Sequence, residues 1–427
     1  MQTGNSRIPQ YFKMSVEERQ SALALALSVD MDKLDLLVNY EKALPLSTAD
    51  TMIENVIGTF QLPFGLATNF TVNGTDVLIP MAVEEPSVVA AASNMARIVR
   101  KSGGFTTIYK DSIMIGQMHV IHVDNMDEAQ VKVAQAKDEL IAKANSFDKT
   151  LVALGGGVKD IELRTLILGT GEKVLTIHLH VDVLDAMGAN AVNTMAERLT
   201  PDIERLTGGT VLLRILSNLA DQRLTTAKVA IPFNDLDTDD FKGSEVAKRM
   251  VLANEIALAD PYRAATHNKG IMNGIDPVLI ATGNDWRAIE AGAHAFAARD
   301  GQYRALTKWT IQDETLHGEL TMPMAVGIIG GATKTHPTAR LSLEMMNIQS
   351  AADLAQLVVA VGLAQNMGAI RALATEGIQR GHMTLHARNI ASQVGRNAEE
   401  INWLEAQMIE HNDVRMDAAK EFLNNRK

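Results

Sequence analysis

The chain has no cysteine, which removes disulfides, thiolate metal sites and a cysteine nucleophile together. That composition fits a reducing compartment. Basic charge is also short: 40 Lys and Arg face 51 Asp and Glu, for a net charge of −11. Phosphate-backbone binding wants clustered cations, so no nucleic-acid partner is expected. Met1 to Tyr11 is polar, contains Pro9 and has no apolar run, so no secretory signal is read there. The most apolar stretch, Leu354–Ile370, is interrupted by Gln356, Gln365 and Asn366 and is short for a membrane span. A buried helix is expected instead, with no membrane partner and a cytoplasmic location. No repeat or low-complexity linker is present.

Several catalytic signatures fail on inspection. Gly330-Gly-Ala-Thr-Lys-Thr335 has Thr333 where a P-loop needs Gly before Lys. No Gly-x-Ser-x-Gly elbow occurs. Gly155-Gly-Gly157 is not Gly-x-Gly-x-x-Gly, and no Rossmann unit surrounds it. His382 and His386 share metalloprotease spacing, but Met383 stands where Glu is required. No metal site is expected.

What is present is a globular balance: 427 residues, 46% apolar and 21% charged, enough for two or three domains. Asn73-Gly74 reads as a turn between strands, and Val77, Ile79 and Met81 alternate as a strand would. Pro86 suits the first turn of a helix ending near Gly103-Gly104, which places Glu85 near a helix N-terminus. Further on, Ile115–Val123 reads as a strand and Met126–Asn145 as a helix. Val158–Leu168 and Lys173–Val183 read as strands, Ala189–Thr207 as a helix, and Val211–Leu216 as a last strand. This β-α-β-β-α-β order is the split βαβ, or ferredoxin-like, arrangement. Ser350 with Asp353, and Asn397 with Glu400, look like helix caps, and the chain is helical after Gly377.

Three segments could carry chemistry. Asp185-Ala-Met-Gly-Ala-Asn190 joins a strand end to a helix start, where free N–H groups favour an anion and Gly188 allows close approach. An ordinary Asp-capped helix is the competing reading. Asp260 to Gly274 and Ala281 to Arg287 read as two polar, Gly-punctuated loops. They carry Lys269 and Asp285, and solvated loops without a role are the alternative.

Glu54-Asn-Val-Ile-Gly-Thr59, Val83-Glu-Glu-Pro-Ser87, Asp185–Asn190, His267-Asn-Lys-Gly-Ile-Met-Asn273, Gly283-Asn-Asp-Trp286 and Gly381-His-Met383 occur in an order that resembles one family. The chain looks like a 3-hydroxy-3-methylglutaryl-CoA reductase of the soluble bacterial class, from Ile8 to the tail. Within that family the likeness is nearest to enzymes that oxidise mevalonate with NAD. The resemblance implies an α+β fold in three parts. A large mixed α/β domain (1–110 and 219–376) would hold the acyl-CoA. An inserted ferredoxin-like domain (111–218) would hold the dinucleotide, and 377–427 would form a helical C-terminal flap. It also implies a homodimer, or a higher oligomer of dimers, with active sites at the interface and no animal-type membrane anchor.

Position by position, the resemblance implies that Glu85, Lys269, Asp285 and His382 are catalytic. Ser87, Arg263 and Asn273 would hold substrate, and Asp185, Met187, Gly188, Asn190 and Asn218 the dinucleotide. Asp148 would accept the adenosine ribose hydroxyls, and a carboxylate there repels a 2′-phosphate, favouring NAD. The implied reaction interconverts mevalonate, CoA and two NAD with 3-hydroxy-3-methylglutaryl-CoA and two NADH through bound mevaldehyde, in mevalonate degradation. Lys269 would stabilise the oxyanion, and Asp285 would hold Lys269 by a charge-assisted hydrogen bond. Glu85 would move the alcohol proton, and His382, brought in by the flap, would protonate the leaving thiolate. A biosynthetic reductase, an acyl-CoA lyase or hydrolase without nicotinamide, and a non-catalytic CoA-binding protein are the alternatives.

Overall fold

Asn73 and Gly74 both adopt positive φ, and they join β1 (Phe64–Val72) to β2 (Thr75–Ala82) as an antiparallel hairpin. The computed structural model describes residues 5–375, 377–411 and 413–426, with the backbone alone at Tyr40 and 378–385. Ahead of β1, residues 53–63 form neither helix nor strand, and Ile57 and Phe60 are 101% and 90% exposed. Helix Val88–Val99 follows β2 and packs on β1. Pro86 precedes its cap, Ser87, rather than occupying the first turn.

After β3 (Thr106–Tyr109) comes a four-stranded sheet of β4 (Ile113–Ile121), β5 (Gly157–Ile167), β6 (Lys173–Asp182) and β7 (Thr210–Ser217). Its order is β5-β6-β4-β7 with every neighbour antiparallel, as the split βαβ reading requires. Alternation along β4 and β6 turns Met114, Met118, Leu175, Ile177, Leu179 and Val181 inward, all fully buried. Val133, Leu140, Val192, Met195 and Leu199 of the crossing helices belong to the same apolar cluster. The single helix expected over 126–145 is two, Met126–Gln135 and Lys137–Asn145, broken at Ala136 by a ψ of 3°.

A second antiparallel sheet pairs β3 with β8 (Leu224–Pro232), β10 (Thr315–Pro323) and β9 (Thr307–Gln312), in that order. The apolar stretch forms helix Ala351–Ala374, started by the Ser350–Asp353 capping box. It passes through the core between helices Val88–Val99 and Pro261–Ala281. Trp309, wholly buried, donates its Nε1–H to Asn366 Oδ1 on this helix at 2.9 Å.

The loop expected over 260–274 is instead the first two-thirds of helix Pro261–Ala281. Asp260 caps it, accepting from Tyr262 and Arg263 N–H, and Pro261 fills the first turn. Gly270, Gly274 and Pro277 disfavour a helix by propensity, each glycine by about 1 kcal/mol. Burial of Ile271, Met272, Ile275 and Val278 overrides that cost. At the C-terminus, helices Ile378–Val394, Ala398–Glu410 and Met416–Asn425 share an apolar cluster of their own around Ala387, Leu404, Met408 and Ala419.

Candidate active site

Glu85 sits just past β2, and Lys269 lies midway along helix Pro261–Ala281. The Lys269 ammonium donates to Glu85 Oε2 at 3.2 Å, and Asn273 Nδ2 donates to the same oxygen at 3.4 Å. Lys269 and Asn273 are one turn apart and therefore share a helix face. This ion pair is open: the Lys269 side chain is 61% exposed and Glu85 36%. Exposed pairs of this kind contribute under about 1 kcal/mol, so the fold does not depend on it. Ser87 holds a φ of 74° at the start of helix Val88–Val99. Arg263 lies half-buried in the first turn of the Lys269 helix, where burial works against its charge. Behind them His267 is buried against Thr307 and Asn366, and burial pushes its imidazole down to about 3, with the Arg263 charge adding to the effect.

Asp285 does not join this cluster. It caps helix Trp286–Ala297, with Oδ1 accepting from Ala288 N–H at 3.1 Å and lying 3.8 Å from Arg287. The expected Asp285–Lys269 hydrogen bond is absent among the described residues, and the reason is distance. Asn284 N–H donates to Leu279 O, which fixes Asp285 at the far end of the Lys269 helix. The rise from Lys269 to Leu279 is roughly 15 Å, beyond the reach of the two side chains.

Asp285 lies instead with the dinucleotide candidates. Asn284 Oδ1 accepts from Gly327 N–H, and Ile328 N–H donates to Asp185 O. A Cβ on Gly327 would fall 2.5 Å from Met187 N, so only glycine allows that approach. Asn218 O presses equally closely on Gly292 of the helix that Asp285 caps. Gly188 adopts φ 99° before helix Ala189–Thr207, which no side chain caps. Asp185 is turned away and accepts from Ala351 N–H at 2.7 Å, so the Asp-capped reading of this loop fails. Asn190, in the first turn of helix Ala189–Thr207, is exposed, and the uncapped N–H groups of that turn suit a dinucleotide phosphate. Asp148 caps the short helix Lys149–Ala153, whose Leu151 meets Gly156 beside Asp182 O, at the same end of the sheet. The His382 side chain lies outside the described residues; its backbone belongs to helix Ile378–Val394.

The Hydroxymethylglutaryl-coenzyme A reductase family model matches residues 15–387. The chain belongs to the hydroxymethylglutaryl-coenzyme A reductase family. It is 53% identical to the 3-hydroxy-3-methylglutaryl-coenzyme A reductase of Archaeoglobus fulgidus over 420 residues, 98% of this chain and 94% of the relative. A solved class II reductase from Streptococcus pneumoniae, described as bound to NADPH in open conformations, superposes with a TM-score of 0.82. It is 43% identical, and the match covers 96% of this chain and 99% of that one. A second solved reductase from the same organism gives a TM-score of 0.83 at 43% identity, covering 98% and 99%. The chain is thus a class II enzyme of α+β fold.

Sequence reasoning missed three parts of this enzyme's site region. Arg223 is fully buried and donates to the carbonyls of Ala186 (3.0 Å), Leu184 (3.4 Å) and Val326 (2.7 Å), and to the Tyr109 hydroxyl. It thereby holds the Asp185 loop against the Gly327 loop. Asn284 makes the second link. Asp276, Glu290, His294 and Tyr303 form a third, bridging helices Pro261–Ala281 and Trp286–Ala297. Burial and Glu290 push the Asp276 carboxyl up to about 8. Burial would raise Glu290 too, but its bonds to His294 and Asp276 outweigh that and hold it low. Of these linking side chains only Asn284 lies within a family motif, Gly283–Trp286. A recess of about 950 Å³ lined by Tyr11, Leu23, Phe64 and Val89 includes none of the nominated site residues.

Proposed function

We propose that this reductase oxidises mevalonate, with CoA and two NAD, to 3-hydroxy-3-methylglutaryl-CoA and two NADH, through bound mevaldehyde, in mevalonate degradation. The observation that carries the catalytic reading is the Lys269–Glu85–Asn273 cluster, an ammonium and a carboxyl side by side on an open helix face. The bound nicotinamide would supply the hydride acceptor for both oxidations. Lys269 stabilises negative charge on the reacting oxygen, Glu85 takes or returns its proton, and Asn273 fixes Glu85. Ser87 and Arg263 flank that cluster and hold substrate. His382, on the C-terminal helical module, takes the thiol proton as CoA adds to mevaldehyde, and returns it to the thiolate when the reaction runs in reverse. Residues 111–218 bind the dinucleotide, with its phosphates at Gly188–Asn190 and its ribose at Asp148.

The working unit is a homodimer in which Asp285 of one chain completes the Lys269 cluster of the other. Two observations support this: the separation along the Lys269 helix, and the bare apolar segment carrying Ile57 and Phe60. The enzyme acts in the cytoplasm.

A second reading, a biosynthetic enzyme using NADPH, is favoured by the NADPH bound to the Streptococcus pneumoniae relative. Nicotinamide absorbance distinguishes them. Purified protein mixed with mevalonate and CoA should reduce NAD, and only when both substrates are present. Preference for NADP would transfer the conclusion to the second reading. Folded protein silent with either cofactor, in both directions, would overturn both.

A further inference from the structure

The face of the β5-β6-β4-β7 sheet turned away from its helices carries an ordered polar row. His178 and His180 are two apart on β6 and so point to the same side. In the strand register Glu162 of β5 and Gln117 of β4 stand directly beside His178. Ligand-type atoms of Glu162, His178 and His180 all lie within 4.8 Å of one another. His180 Nε2 is 3.3 Å from Glu162 Oε2 yet makes no hydrogen bond, although it is shut off from solvent. Gln117 Nε2 lies 2.9 Å from His178 Nε2 and steadies that ring, which is 5% exposed. The cluster opens into a recess of about 380 Å³, where Asp221 Oδ1 is also buried without a hydrogen-bond partner.

We propose that Glu162, His178 and His180 bind a divalent transition-metal ion of the zinc or cobalt type, at a site separate from the catalytic chemistry. Two imidazoles and one carboxylate suit such an ion, and the recess leaves its fourth position to water. Metal bonds of about 2.0–2.2 Å require the ligand atoms to close up by roughly 1.5 Å. Glu162 can supply that movement, since its side chain is 53% exposed. Arg164 lines the recess and opposes a cation, but Glu162 and Asp221 together outweigh it by one charge. A bound ion would tie β5 to β6 below the Ser217–Gln222 segment, which carries Asn218.

The test uses full-length protein stripped with chelator and dialysed. Cobalt(II) is followed by its visible d–d bands and zinc by calorimetry. One saturable site per chain is expected, with tetrahedral-type cobalt bands. His180→Ala should weaken binding by about 100-fold and Gln117→Ala by about tenfold. Glu162→Gln conserves size at an exposed position, so its loss of binding should come with an unchanged melting temperature. His386→Ala, in the C-terminal module, should bind normally. Absence of saturable binding in the wild type overturns the proposal. So does binding that survives both His180→Ala and Glu162→Gln, or that disappears with His386→Ala.

Discussion

Glu85, Lys269 and Asn273 meet on the open side of one helix, whereas Asp185, Met187, Gly327 and Asn284 meet where backbone segments press together. The first cluster is held by side chains and is half in water. The second is held by main-chain hydrogen bonds, a buried guanidinium and glycines that admit no Cβ. Asp285 belongs by sequence motif to the first and by position to the second. The difference suggests a division of labour. Under the proposed function, the open cluster would be free to change protonation and partners during a reaction, while the packed one would hold a fixed shape for a ligand backbone. In the proposed dimer a second chain would unite them.

The largest effect is expected from Lys269→Ala. Activity should fall by about a thousandfold or more, because the charge opposite the oxyanion is lost. The melting temperature should barely move, since the side chain is mostly exposed. Turnover within tenfold of wild type would remove Lys269 from the chemistry.

Next comes a mixing experiment. Lys269→Ala and Asp285→Ala should each be inactive alone. Unfolded and refolded together, they should recover about a quarter of wild-type activity, because half of randomly mixed dimers carry one intact site. A mixture as inactive as its components would place both residues in one chain's site and break the comparison.

Arg223→Met tests the packed cluster. Several buried carbonyls would lose their donor at a cost on the order of 3 kcal/mol, and KM for the dinucleotide should rise more than kcat falls. Equal KM with normal stability would show that the loop holds its shape without the guanidinium. Asp148→Ala should have a smaller effect. Removing the cap costs about 1 kcal/mol, and discrimination between NAD and NADP should narrow. Unchanged discrimination would take Asp148 out of cofactor choice.

The last effect is on stability alone and concerns pH. Asp276 and Glu290, between the two clusters, keep one proton in the folded chain up to about pH 8, which the unfolded chain releases near pH 4. The folded state then binds the extra proton, so stability falls as pH rises through that window. His267 acts oppositely: folded, it stays neutral down to about 3, while unfolded it is protonated below about 6.5. Its contribution is lost as pH falls from about 6.5 towards 3. The two slopes cancel between about pH 4 and 6.5, leaving a decline of at most about 1.4 kcal/mol per unit up to about pH 8. Asp276→Asn should flatten that decline in denaturant titrations, and an identical decline in the variant would be evidence against the shared proton.

The inserted sheet was legible because its strands alternate cleanly and Gly208-Gly209 stops the helix before β7. Every one of its strands begins and ends within two residues of the expected place. The Lys269 helix was not legible, because its glycines and polar stripe look like a loop until tertiary burial is counted. The Lys269–Glu85 meeting was approachable only through the family motifs, since 184 residues separate the partners. Arg223 left no trace at all: a single arginine between Gln222 and Leu224 does not advertise that distant carbonyls converge on it. The separation of Asp285 from Lys269 likewise follows from a helix length that the loop reading concealed.

The bare segment before β1 bears on how the protein must be handled. Covering an apolar side chain such as Ile57 or Phe60 is worth about 1.5–3 kcal/mol, and association so driven obeys mass action. In the proposed dimer, dilution would separate paired sites while chains that fold independently keep their circular dichroism. Specific activity would then depend on enzyme concentration, and an assay run too dilute would report a weak catalyst where a strong one had merely been thinned out.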